Sequence, residues 1–371
     1  MSKIFKKIFN YCPVPAFMMY VLALISIVLH VSFYASAEFA DFFNQTFGAF
    51  VRGILAAITN WLPFSLAETV LVSVPIVLVV LLIYVFKIPS EDVRMMRRYT
   101  FAVVSVICYI YSVFVIGFAS SYRGESLTVK LELDQVSVTP AELDFTAREI
   151  YSEIEELLPE VTFKYASSSV MPYSFDEMNG KLNEAYSSAA EKYGFITNFK
   201  SNLKYVTLSK AMTYTHISGV YTFFTGESNI NVNFPDYTIP FTAAHEMSHQ
   251  RGIGPENEAN FMAFLVCLES DDPYIKYSGY LNVFEYVLNA LYQADTNLYS
   301  SLLNEIDYRV RYEMIAYSEF FKEYRDTVAS EITGTINDTY LQSQGQTAGS
   351  KSYGMVVDLA VAYYKKSEKA Q

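Results

Sequence analysis

Three long apolar runs without a charged side chain decide most of what the first third of this chain can become. No residue between Lys7 and Glu38 is charged, and the run from about Pro15 to Ala35 is long enough to cross a bilayer, which takes about 20 apolar residues. Thr69 to Phe86 is a second such run, between Glu68 and Lys87, and Tyr99 to Tyr122 is a third, between Arg98 and Arg123. The pattern predicts transmembrane helices at about 15–35, 69–86 and 99–122. The 371 residues then divide into a membrane region, 1–122, and a second domain, 123–371. The competing reading of the first run is a signal peptide after Lys3, Lys6 and Lys7. That run exceeds the usual core of about 7–15 residues and no small-x-small cleavage site follows closely, so a retained helix is expected. Gly53 to Ala67 is apolar but short and contains Asn60, Trp61 and Pro63; an interfacial or re-entrant segment suits it better than a fourth span.

Basic residues set the orientation, because Lys and Arg collect on the cytoplasmic side. They lie before the first run and between the second and third (Lys87, Arg94, Arg97, Arg98), whereas the loop after the first run has Arg52 beside Glu38 and Asp41. The expected location is therefore a multi-pass cell-membrane protein with a cytoplasmic N-terminus and an extracytoplasmic domain after about Tyr122. The lipid bilayer is its first partner. A formal net charge of −12 argues against nucleic acid, whose phosphates call for a basic surface. Cys267 is the lone cysteine of the second domain, so no disulfide within that domain is available. The oligomeric state is not readable.

The expected fold class is α+β: a mostly helical second domain with a small β-sheet. Ser126 to Val138 alternates apolar and polar residues and reads as a strand or an extended linker. Helices are expected at Ala141–Leu158 and Asp176–Tyr193, the latter ended by Gly194. Tyr205 to Val232 has strand and turn composition. Asn229 to Phe234 alternates strictly, and either an edge strand that pairs with an extended peptide or a plain sheet strand explains it. Helices are further expected from Thr242, over Asn257–Leu268, Tyr280–Ala294 and Leu302–Ile332, and over Gly354–Tyr364, with Thr333–Ser352 as a loop.

Against that background stands His245-Glu246-Met247-Ser248-His249. Two histidines one helical turn apart offer two metal ligands on one face, and the glutamate between them is placed to handle a proton; this is the signature of zincin-type hydrolases. The chain holds four histidines in all, and His30 and His216 lie far from the string. A catalytic zinc usually takes three protein ligands. Pro255 stands where a metzincin would have its third histidine, which leaves Glu256 and Glu258. Glu256-Asn257-Glu258-Ala259-Asn260 resembles the Glu-x-x-Ala-Asp/Asn pattern of glutamate-type zincins. On a helix Glu256 and Asn260 share a face while Glu258 points about 160° away, so Glu256 is preferred as ligand, Glu258 is the alternative, and Asn260 supports the site. Tyr214, His216, Tyr221 and Asn231 are the candidate substrate contacts.

The chain also resembles an uncharacterised family of bacterial membrane proteins known as a domain of unknown function. The likeness rests on Ile239 to Ile253, on Glu258-Ala259-Asn260-Phe261, on Asn337 to Leu341 and on Ser352-Tyr353-Gly354. It implies a membrane-anchored, zincin-like protein and brings no substrate. The expected function is hydrolysis of peptide bonds in extracytoplasmic proteins or peptides. It would use one Zn2+ and a zinc-activated water, with Glu246 as general base. A non-catalytic metal-binding surface receptor or scaffold and a peptidoglycan amidase are the rivals.

Overall fold

The computed structural model describes residues 8–370 apart from 90, 135–137, 165–167 and 326. The N-terminal lysines Lys3, Lys6 and Lys7 lie outside the described residues. The fold is mostly helical, with one three-stranded sheet.

Three helices are long and apolar enough to cross a membrane: Val14–Ala35, Leu66–Phe86 and Val93–Gly117. The first and third pack along their length, and Tyr99 ties the third to the second through its hydroxyl on the Leu81 carbonyl, 2.9 Å. Their apolar side chains are largely exposed, those of Leu66–Phe86 almost entirely. That is the expected surface of helices solvated by lipid. The second begins three residues and the third six residues earlier than the charge-free runs suggested, because Leu66–Glu68 and Val93–Arg98 continue the helical turns past the charged residues. The third ends at Gly117, and Ala119–Tyr122 forms a separate 3-10 turn. At one end of the bundle Arg94 and Arg98 donate to the carbonyls of Asn10 and Phe9; everything after Tyr122 lies at the other end.

The segment between the first two spans belongs structurally to that second body. Ala37–Phe43 is helical, Asn44–Gly48 forms a π-helical turn, and Ala49–Thr59 completes an amphipathic helix. Asn44 donates to the Gly252 carbonyl at 2.7 Å, and Asn60 exchanges hydrogen bonds with Lys200 and Asn202. Arg52 is fully buried and donates to the carbonyls of Gly117 and Asn44.

The sheet has the order β1 (Lys204–Tyr205), β3 (Glu227–Ile230), β2 (Gly219–Thr222), with β1 parallel and β2 antiparallel to β3. Of the alternating segment Asn229–Phe234, only Asn229 and Ile230 fall in a strand, the middle one, and β1 and β2 are the two edges. Ser126–Val138 is not a strand: Leu127–Lys130 is a short helix, and Val136 lies outside the described residues. Leu127 and Leu133 are both buried, which accounts for the apolar pattern without β structure. The helical core consists of Pro140–Leu157, Phe175–Tyr193, Thr238–Gln250, Glu256–Leu268 and Pro273–Ala294, closed by Val356–Ala370. Capping boxes start the first two, at Thr139/Glu142 and Ser174/Glu177.

Two expectations change toward the C-terminus. Leu302–Ile332 is not one helix but parts of three, Thr296–Glu305, Tyr308–Phe321 and Val328–Ser343, restarted by the caps Asp295, Asp307 and Thr327. Most of the expected loop 333–352 is helical, first in Val328–Ser343 and then in the 3-10 segment Gly349–Met355.

Candidate metal and substrate site

The motif helix, Thr238–Gln250, is buried along its whole length. Pro240 falls in its first turn, where a missing N–H costs nothing. Ala243 and Ala244 bring neighbouring helices close, and Tyr186 reaches in to donate to the Ala244 carbonyl and meet Ser248 at 2.7 Å. The helix stops at Gly252, whose φ of +92° lies in the left-handed region. A side chain there would also collide with Arg52 and Asn44. The reversal turns the Ile253 carbonyl back onto His249 Nδ1, 2.7 Å away. That bond fixes the ring and aims Nε2 into the cleft, the usual support for a ligating imidazole.

Pro255 then caps Glu256–Leu268, so that Glu256 is its first residue. Its Oε2 stands 3.2 Å from His245 Nε2 and 3.3 Å from His249 Nε2. Burial disfavours the Glu256 carboxylate, but His249 and His245 outweigh it and hold its pKa well below the ordinary range. Burial likewise opposes the His249 imidazolium, yet Glu256 and Glu246 lift its pKa to about 9. Glu258 faces away: its carboxylate accepts the Leu127 N–H at 3.0 Å, and burial pushes its pKa up to about 7. Of the two glutamates, the structure brings Glu256 to the histidines.

The three donor atoms lie within 4.8 Å of one another, close enough to share one metal ion. Ligand distances of about 2.0–2.2 Å in tetrahedral geometry put neighbouring ligand atoms roughly 3.3 Å apart, close to the separations seen. Glu256 Oε2 and His245 Nδ1 are moreover buried without a well-aligned hydrogen-bond partner, and among the described residues His245, His249 and Glu256 form the one cluster able to hold a metal.

Glu246 lies beside this cluster under β2. The Tyr221 N–H binds its carboxylate, and burial raises its pKa. Asn231 N–H donates to Ser218 O at 2.9 Å, so in the antiparallel ladder the backbone groups of Gly219 and Tyr221 face the free edge. That edge borders a cleft of about 500 Å³ whose walls include His216, Tyr221, Phe118, Tyr122, Asn337 and Tyr353.

The other expected site residues separate. His216 lines the cleft but is held at Nε2 against the Tyr324 carbonyl, 2.7 Å away, with a left-handed φ of +60°. Tyr221 lines it and is buried. Tyr214 does not line the cleft; its ring packs on Tyr324 and its carbonyl accepts from Thr327. Asn231 is also elsewhere, just past the middle strand and buried against Thr213 and the Ile217 carbonyl. Asn260 lines the cleft and donates to the Tyr353 carbonyl at 3.2 Å. His30, in the first span, meets the Tyr111 hydroxyl at 3.0 Å.

Tyr353 is the residue that sequence reasoning passed over. Its ring stacks over His245 with centroids 6.2 Å apart, and its hydroxyl interacts with Asn337 and Glu256. Burial and then the Glu256 charge push its pKa well up, so it stays a proton donor. The one available signal was its place in Ser352-Tyr353-Gly354, a string that carried the family likeness.

The chain belongs to the family described as "Protein of unknown function (DUF3810)", which matches residues 42–361. No curated protein matches the chain, and no solved structure does.

Proposed function

We propose that this protein is a membrane-anchored, zinc-dependent metallopeptidase with a zincin-like catalytic domain. The observation that carries the reading is the convergence of His245, His249 and Glu256 on one point with zinc-like spacing, beside Glu246 and an open strand edge. His245, His249 and Glu256 would hold the ion, which when bound supplies Lewis acidity and makes water acidic enough to react near neutral pH.

The chain's own residues do the rest. An extended peptide pairs with the outward backbone groups of Gly219 and with the Tyr221 carbonyl, the Tyr221 N–H being held by Glu246. Glu246, its pKa raised by burial, accepts the proton of the attacking water and passes it to the leaving amine. The Tyr353 hydroxyl donates to the developing oxyanion. The bundle end bearing Lys87, Arg94, Arg97 and Arg98 is assigned to the cytoplasm by its charge, which makes the catalytic domain, 123–371, extracytoplasmic.

The test is Glu246→Gln in the full-length protein. Zinc content stays at one ion per chain while hydrolysis of a peptide library falls by about 10²–10⁴-fold, the range for a lost general base. Undiminished hydrolysis overturns the mechanism. Bound zinc with no cleavage by the unsubstituted protein returns the site to a non-catalytic receptor or scaffold.

A further inference from the structure

We infer that the cleft works at the bilayer surface and that its substrate is a polypeptide anchored in the same membrane, bound through the segment just outside its own anchor. This rests on the peptidase reading and names its substrate class.

Three observations place the cleft against the spans. The third apolar helix ends at Gly117, and the next residue, Phe118, stands edge-on to the His249 ring with centroids 6.0 Å apart. From Tyr99 to Gly117 that helix rises roughly 28 Å at about 1.5 Å per residue, close to the ~30 Å hydrocarbon core. Phe118 and His249 therefore sit at the level of the headgroups. The second span is fastened to the sheet: Ser65 Oγ donates to Asn229 at 2.6 Å, and the Glu227 carboxylate accepts the N–H groups of Leu66 and Ala67. Between Glu227 and Asn229 on the same strand, Ser228 donates to the Glu246 carbonyl at 3.0 Å.

The third observation is the helix Val328–Ser343, which walls the cleft. Near one end Tyr340 packs on Phe114, in the last turn of the third span, and hydrogen-bonds Tyr122 at 3.1 Å. At the other end its cap Thr327 donates to the Tyr214 carbonyl, a few residues past Thr207 and Leu208. The N–H groups of those two bind Glu68 in the first turn of the second span. The helix thus lies across the outer ends of two spans. Ser330, Thr333, Gly334 and Asn337 face the cleft. Val328, Ile332 and Ile336, at helical spacing on the opposite side, are 71%, 55% and 64% exposed. The occupant of that apolar stripe is the bilayer, because the helix carrying it packs at one end on the third span and is bonded at the other to the Thr207–Tyr214 segment that the second span holds. One helix diameter, about 10 Å, then separates lipid from cleft. An extended chain covers that in about three residues.

The full-length protein in liposomes tests this with one peptide library, offered free or coupled to a lipid through one terminus. Coupled peptides should be cut at least tenfold faster, with the cuts within roughly ten residues of the lipid by mass spectrometry, as the ~3.3 Å per residue reach requires. Equal rates, or cuts spread evenly along the coupled peptide, overturn the inference. A second readout needs no catalysis. Trp61 is the single tryptophan, so Trp61→Phe with Ile332→Trp leaves one reporter, whose emission should be quenched by brominated lipids. Absence of quenching also overturns the inference, whereas quenching without cleavage of either form removes the peptidase reading instead.

Discussion

Gly219 lies directly against Glu246. A β-carbon on the glycine would stand 2.7 Å from both Cγ and Oε1 of the glutamate and 2.9 Å from Thr242 Cγ2. The strand edge can come this close to the Glu246 carboxylate because it carries no side chain at that point. Gly219→Ala should displace Glu246 while leaving the three ligands in place. Zinc content stays unchanged and kcat/KM falls by roughly 100-fold, the cost of about 1 Å of misplacement; wild-type hydrolysis at wild-type zinc content would contradict this.

Glu256 and Glu258 make a paired comparison. Glu256→Ala leaves two imidazoles without their carboxylate, and zinc should be lost on dialysis of the full-length protein. Glu258→Ala removes the acceptor of the Leu127 N–H, so zinc is kept while the melting temperature drops, in line with about 1–3 kcal/mol for an unpaired buried donor. Metal analysis by mass spectrometry beside thermal unfolding separates the two, and zinc retained in Glu256→Ala would refute the ligand set.

Tyr353→Phe keeps the ring over His245 and removes the hydroxyl. Zinc binding and KM should change little, while kcat falls by about 10²–10³-fold, the range for one oxyanion donor. A change confined to KM would make Tyr353 a substrate-binding residue instead.

Stability should also respond to pH through Glu285. Burial, against the Tyr237 hydrogen bond and with Glu313 nearby, raises its pKa to about 7. Its folded pKa exceeds its unfolded one, so the folded state binds the extra proton and stability is lost as pH rises from about 4.5 to about 7. Glu285→Gln keeps an acceptor for the Tyr237 hydroxyl and removes the titration. Between pH 5 and 8 its melting temperature should fall less than that of the parent, by the equivalent of about 1–3 kcal/mol. Parallel melting curves for the two proteins would exclude this role.

What could be read from the chain was what is local. The apolar helices follow from uninterrupted composition, and the grouping of His245, His249 and Glu256 follows from helical phase: Asn260 shares the cleft with Glu256 while Glu258 turns to Leu127. What depends on topology was not legible. Asn229 to Phe234 alternates as an edge strand would, but only its first two residues pair, in the middle strand, and the outer places fall to Lys204–Tyr205 and Gly219–Thr222. Val328–Ser343 has the Gly and Thr content of a loop, and its helix is stabilised by contacts with Phe114, Tyr122 and Tyr214 that are distant in sequence. Tyr353 was one of 31 tyrosines, and a fold was needed to single it out.

The caps and braces that residues 44–67 lend to Gly252, Asn229 and Glu227 bear on how such a protein can be regulated. A cut after Tyr122 would release a fragment whose Gly252 turn and central strand have lost their supports, so shedding would silence the site rather than liberate it. On the proposed peptidase function, activity would then be confined to the patch of membrane in which the intact protein sits.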